Sequence, residues 1–328
     1  MSGANPLTER YPTQKRATVP GPRNAAERDH LCGVALDAIE PYWDSQTAAN
    51  NHAPFFIAGA TQPRKDTVRG WELFRAVTGR DPGTIPQPTG NCVAASAEEI
   101  IELTQCVDIL RGDREVFTEI NSSYHYATGR VIIGQNRLKG SPGSIGGWQA
   151  SAVTRHGSLA FSNDQPEYNK ANVDAWGDDR KAEGKSFRDY IEEAAPRTIG
   201  TTARVTSMTE IMDAQSSGYF QTIASNRGYS RKPKGGETGW HVPSGRWSHQ
   251  MSLWGYSISH EWVAIKNQWG PKIHGRIRDP ETQELWPAGF LKVRMDDFEK
   301  KHLRGSECIT YSQFAGFPQK RFDYSVLG

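Results

Sequence analysis

The chain has 328 residues, 36% of them hydrophobic, and its 39 Lys and Arg nearly balance 37 Asp and Glu for a net charge of +2. That length buries one large core or two lobes. The charge balance gives no argument for a nucleic-acid partner, and no stretch approaches the roughly 18 apolar residues of a membrane span. Four cysteines, Cys32, Cys92, Cys106 and Cys308, are scattered with no Cys-x-x-Cys pair. Neither a metal site nor a disulfide framework is expected, and a reducing compartment is.

Residues 1–30 are polar and proline-containing, with Arg10, Lys15, Arg16, Arg23 and Arg28 set against Glu9, Glu27 and Asp29. They read as a flexible arm without the basic-then-apolar pattern of a secretory signal. Residues 31–80 read as a helical extension, including Asp66–Thr78, where Val68, Leu73, Phe74 and Val77 form a partial stripe. Whether this leader is an inhibitory pro-segment or a docking element is left open. Residues 81–200 form the expected helical lobe. Its first helix runs from Val93, with Ile100, Ile101 and Leu103 on the buried stripe, and places Cys92 at the N-terminus and Cys106 inside. Residues 201–328 form the expected β-rich lobe, opened by a short helix over Met208–Gln215 and a first strand over Tyr219–Ser225. Gln250–Trp254 and Trp262–Lys266 are strands of a hairpin centred on Ile258, a register that sets His249 opposite Asn267. Trp240, Trp247, Trp254, Trp262 and Trp269 recur at steps of 7, 7, 8 and 7. Turns and glycines interrupt that run, so it reads as coincidence and not as one helix face.

A thiol, an imidazole and an amide in that chain order supply a nucleophile, its base and the group that orients the base. The positive end of a helix dipole favours an anion at Cys92, and a protonated imidazole favours it further. His249 facing Asn267 leaves one ring nitrogen for the amide and the other for the thiol. Trp269, two residues past Asn267, projects to the same side and shields that bond from water. Gln87, in the loop Gln87-Pro-Thr-Gly-Asn-Cys92, is the expected oxyanion donor together with the Cys92 backbone N–H.

Gly90-Asn91-Cys92, Asn267-Gln268-Trp269-Gly270 and the His249 strand ending in Gly255-Tyr256 resemble the corresponding segments of papain- and cathepsin-type cysteine peptidases. The resemblance covers roughly residues 80–295. It implies an α+β, two-lobed fold with Cys92, His249 and Asn267 as catalytic residues and Gln87 at the oxyanion. It also implies that Gly146 and Gly147 are open backbone that pairs with a bound peptide. Val93 stands where the family has an aromatic residue, Gln87 precedes Cys92 by five residues, one fewer than in the family, and the second cysteine of the family's pattern is absent. The implied activity is endopeptidase hydrolysis of a peptide or protein substrate through a thioacyl intermediate, with no cofactor; the basic arm without a secretory pattern adds the expectation of a cytoplasmic or virion-associated protein. Two alternatives share the fold: a weakly active or inactive binding or assembly component, and acyl transfer on a non-protein substrate.

Overall fold

The computed structural model describes residues 53–54, 63–113 and 116–314. The arm expected over 1–30 and most of the extension expected over 31–62 lie outside the described residues. Strand β1 is Ala53–Pro54 and β2 is Thr67–Arg69; helix α1, Gly70–Thr78, follows β2 directly. The sequence reads Asp66–Thr78 as one helix, but its first turn is taken by β2. Thr67, Val68 and Arg69 pair with Ser257, Tyr256 and Gly255. A Cβ on Gly255 would lie 2.2 Å from the Val68 carbonyl oxygen, so glycine is what lets the two backbones meet. Helix α1 stops at Gly79, in the left-handed region at φ 71°, whose N–H closes on the Arg75 carbonyl.

Helices dominate the next stretch: α2 (Cys92–Leu110), α3 (Ser122–Ala127), α4 (Gly146–Arg155), α5 (Lys170–Gly177) and α6 (Ile191–Ala194). Asn121 and Asn169 cap α3 and α5 by accepting backbone N–H groups of Tyr124 and Asn172. Helix α2 is buried on nearly every side, and Ala94, Ala95 and Ala97 let its first turns pack closely. The chain then gives β3 (Ile199–Arg204), α7 (Met208–Ser216), β4 (Gln221–Ser225), β5 (His249–Ser257), β6 (Trp262–Lys266), β7 (Phe290–Arg294), α8 (Met295–Asp297) and β8 (Glu307–Phe314). A reciprocal Ser207–Glu210 capping box starts α7. The first strand after the helices is β3, twenty residues before the one expected at Tyr219–Ser225.

Among the described residues all eight strands share one sheet in the order β1-β3-β8-β4-β5-β6-β7, with β2 added on β5. Every pairing is antiparallel except β1 with β3. The expected mixed, antiparallel α+β class is what forms. Its main core lies between α1, α2 and the sheet, where Trp71 meets Trp286 at a centroid separation of 4.9 Å and Phe290 at 5.3 Å. A second apolar cluster, with Tyr124, Leu159, Trp176 and Phe187, holds the helices together. The regular tryptophan spacing is indeed no helix face: Trp254 and Trp262 sit in different strands. Among the described residues no helix is long and apolar enough to cross a membrane.

The β5–β6 hairpin differs in register from the sequence reading. Leu253 pairs with Ile265 and Ser252 with Lys266, while Tyr256 pairs with Val263 across a bulge between Leu253 and Gly255. Near His249 the register is thus displaced by two residues from one centred on Ile258. A displacement of two preserves the face on which each side chain stands. His249 and Asn267 are therefore diagonal neighbours, still within reach of one another.

Candidate active site

Cys92 is the first residue of α2, preceded by Asn91 at φ −98° and ψ 26°. The loop before it folds on itself: the Asn91 N–H donates to the Thr89 carbonyl, and Asn91 Nδ2 donates to the Tyr168 hydroxyl at 2.9 Å. Cys106 lies inside α2 and Cys308 inside β8, and burial pushes both thiols well above the usual range. Those two are packing thiols. Cys92 differs from them by its helix-start position and by what faces it. The backbone N–H of Gln250 points at its sulfur, 3.5 Å away, and the Gln250 side chain donates to Ser96 Oγ at 2.8 Å. Strand β5 is thereby fastened along the first turn of α2, one residue from His249.

His249 opens β5, and its Nε2–H donates to Asn267 Oδ1 at 2.8 Å. Among the described residues its buried Nδ1 makes no hydrogen bond. Burial draws the His249 imidazole down to about 4, while the Asn267 bond acts the other way. The ring is thus neutral at physiological pH when considered apart from a thiolate, and ready to accept a proton. The sequence reading, which begins from an imidazolium, counted only the attraction of opposite charges; desolvation opposes it. The Trp269 ring stacks on His249 at a centroid distance of 4.7 Å with an interplanar angle of 30°. Trp247 packs on the same indole at 4.7 Å.

Gln87 is fully buried, and its Nε2 donates to the Thr89 carbonyl two residues on, at 2.8 Å. Its backbone N–H donates to the Gln268 carbonyl, tying the loop before Cys92 to the residue after Asn267. Gly146 and Gly147 are not the open edge that the sequence suggests. They begin α4, both are buried, and their N–H groups go to the carboxyl of Glu307. A Cβ at 146 would lie 2.4 Å from Glu307 Oε2 and 2.5 Å from Gln250 Oε1, so both side chains would have to shift to admit one. Burial pushes Glu307 up to about 7.

Several residues around the site are absent from the sequence reading. Glu99, seven residues along α2 from Cys92, receives Lys266 Nζ and Ser252 Oγ, and Gln268 Nε2 at 2.8 Å. This buried ion pair joins the helix of the thiol to both strands of the hairpin. Lys266 ends the otherwise apolar strand Trp262–Ile265, buried along its whole length, and that apolar setting was the available signal. His274 receives Asn267 Nδ2 at 2.9 Å, and its carbonyl accepts from His241 Nε2 at 2.9 Å. Neither histidine stands in a motif, and nothing in the sequence marks them. Among the described residues no cluster of three metal-ligating side chains occurs.

No family model matches the chain, and no curated protein sequence does. Solved structures do. Xylellain, a cysteine protease from Xylella fastidiosa, aligns over 92% of this chain and 99% of its own at 12% identity and a TM-score of 0.52. Procathepsin B S9 from Trypanosoma congolense aligns over 90% of this chain and 89% of its own, at 10% identity and a TM-score of 0.54. Procathepsin L 3 of the Tenebrio molitor larval midgut covers 87% and 77%, at 12% identity and 0.51. At such identities the likeness concerns the fold alone, and that fold is the one of the papain-like cysteine proteases.

Proposed function

We propose that this chain is a cysteine peptidase in which Cys92, His249 and Asn267 act as one unit. The observation that carries the reading is the 2.8 Å bond from His249 Nε2 to Asn267 Oδ1, one residue from the backbone N–H that contacts Cys92 Sγ. His249 Nδ1 takes the thiol proton as Sγ bonds to the substrate carbonyl carbon. The oxyanion is held by the Cys92 N–H and by the second N–H of the Gln87 amide. The C–N bond then breaks as Nδ1 returns the proton to the departing amine. Water, deprotonated by the same nitrogen, releases the acyl group and regenerates the thiol. Residues 81–200 and 201–314 supply the two walls between which a peptide lies.

One observation favours the second reading, a binding component of the same fold: Cys92 has no exposed surface, so a substrate reaches it only if the cleft opens. Labelling the intact chain with iodoacetamide at pH 6 decides between the two. The peptidase reading expects selective alkylation of Cys92, where a free thiol of pKa about 8.5 is nearly silent. It also expects Cys92→Ala to abolish cleavage of a denatured protein substrate while Cys106→Ala cleaves as wild type does. Silence of Cys92 at pH 6, or turnover in Cys92→Ala, refutes it.

A further inference from the structure

Asn267 can orient His249 only if its amide presents oxygen, not nitrogen, to the ring. The two ends of an amide have nearly the same shape, and they differ only in what they bond: Oδ1 accepts and Nδ2 donates. Something must therefore fix which end faces His249, and the fixed point lies on the far side of the amide. Asn267 Nδ2 meets His274 Nε2 at 2.9 Å, and both side chains are fully buried. We propose that His274 is a positioning residue of the site, whose Nε2 accepts from Asn267 Nδ2 and so keeps the amide oxygen on His249. The proposal rests on the triad reading above and deepens it.

The surroundings of His274 fit an acceptor at Nε2. For that nitrogen to accept, the proton must sit on Nδ1; the Arg231 backbone lies on that side of the ring, although among the described residues Nδ1 makes no full hydrogen bond. The main chain of His274 is held in turn by His241. The ring of His241 accepts the Lys292 N–H at Nδ1, at 3.1 Å, so its proton is on Nε2, which donates to the His274 carbonyl. The groups facing His274 are thus His241, His249, Arg231 and two indoles, that of Trp269, stacked at 6.3 Å with an interplanar angle of 26°, and that of Trp247 at 6.4 Å. Burial first and His241 second draw His274 well below the ordinary imidazole range, so it stays neutral and keeps its acceptor. A protonated His274 would carry N–H at both nitrogens. Asn267 would then have to turn its oxygen toward His274 and its NH2 toward His249, which removes the acceptor for the imidazolium formed during catalysis.

Two variants of the full chain separate positioning from packing. His274→Gln retains an acceptor oxygen near Nε2; His274→Leu has similar bulk and no acceptor. The first readout is the imidazole nitrogen spectrum of the 15N-labelled chain, which needs no activity. His274 should be the Nδ1–H tautomer in wild type, and His249 should show a hydrogen-bonded Nε2–H that persists in His274→Gln and is lost in His274→Leu. The second is the rate of Cys92 alkylation by iodoacetamide at pH 6. It should fall about tenfold in His274→Leu, the loss of one hydrogen bond to a charged ring, and by no more than about threefold in His274→Gln. A proton on His274 Nε2, or an unchanged His249 signal in His274→Leu, overturns the inference. So does an equal fall in both variants that tracks their melting temperatures. Failure of the triad reading appears separately: wild-type Cys92 is then silent, while the spectra still decide the role of His274.

Discussion

Replacing Lys266 with methionine should strand a carboxylate inside the protein. The Lys266 side chain is 1% exposed and its partner Glu99 is 10% exposed, so water cannot take over the lost charge. Glu99 would keep only Ser252 Oγ and Gln268 Nε2 as donors. Removing one partner of a buried ion pair costs about 3–5 kcal/mol. For a domain of this size roughly 2–4 °C of melting temperature goes with each kcal/mol, so the fall should be roughly 6–20 °C. In the double variant Glu99→Met/Lys266→Met no charge remains to be stranded, and what is left is the unpaired hydroxyl and amide, about 1–3 kcal/mol each, so it should cost less than the two single variants added together. Urea denaturation of wild type, both single variants and the double variant gives the coupling energy, expected to be about 3 kcal/mol. Additivity within about 0.5 kcal/mol would mean that the charges do not sense each other and would refute the reasoning.

Stability should also depend on pH. His125 is drawn to about 3, His241 and His249 to about 4 and His302 to about 3, each chiefly by burial. The unfolded chain takes up protons at these rings below about 6.5 while the folded chain refuses them. Stability is then full above about 6.5 and falls toward 4, each histidine giving up about 1.4 kcal/mol per pH unit. Glu307, pushed up to about 7, acts oppositely, since its contribution is lost as pH rises from the ordinary carboxyl range to 7. One carboxyl does not offset four imidazoles, so the urea midpoint at pH 5 should lie clearly below that at pH 7.5; a flat profile contradicts the burial of these rings. Gly157→Ala should be severely destabilising, because φ is 69° and the new Cβ would lie 2.0 Å from the Ala194 carbonyl oxygen. Gly140→Ala, at φ 79° with nothing within 4 Å, carries only the backbone strain of about 1–2 kcal/mol, and thermal melts that rank the two equally would count against this account.

The parts of the fold legible in the sequence were those with a local cause. The helix beginning at Cys92, the capped helix at Met208 and the two strands flanking Ile258 each carry their periodicity or capping signal within a few residues. The register of the hairpin was not legible, because the bulge at Trp254 arises from pairing with neighbours on both sides of β5. Thr67–Arg69 reads as helix, but β5 recruits it as a strand from almost 190 residues away. Gly146-Gly147 suggested an open backbone, and only the fold reveals Glu307 at their N–H groups. The same holds for Glu99, whose partner Lys266 is 167 residues distant. The residues proposed for the chemistry stand in short segments that a sequence displays; the residues that hold those segments together, such as Glu99 and Glu307, do not.

The position of β8 sets the order in which the molecule can be completed. Glu307–Phe314 pairs with β3 on one side and β4 on the other. Until those residues leave the ribosome, the facing edges of β3 and β4 have no partner, and open edges invite pairing with other chains. Glu307 belongs to the same strand, so the N-terminus of α4, beside Gln250 and the sulfur it contacts, also waits for this segment. A nascent chain that already contains Cys92, His249 and Asn267 therefore lacks the strand that braces their surroundings until synthesis has passed residue 314.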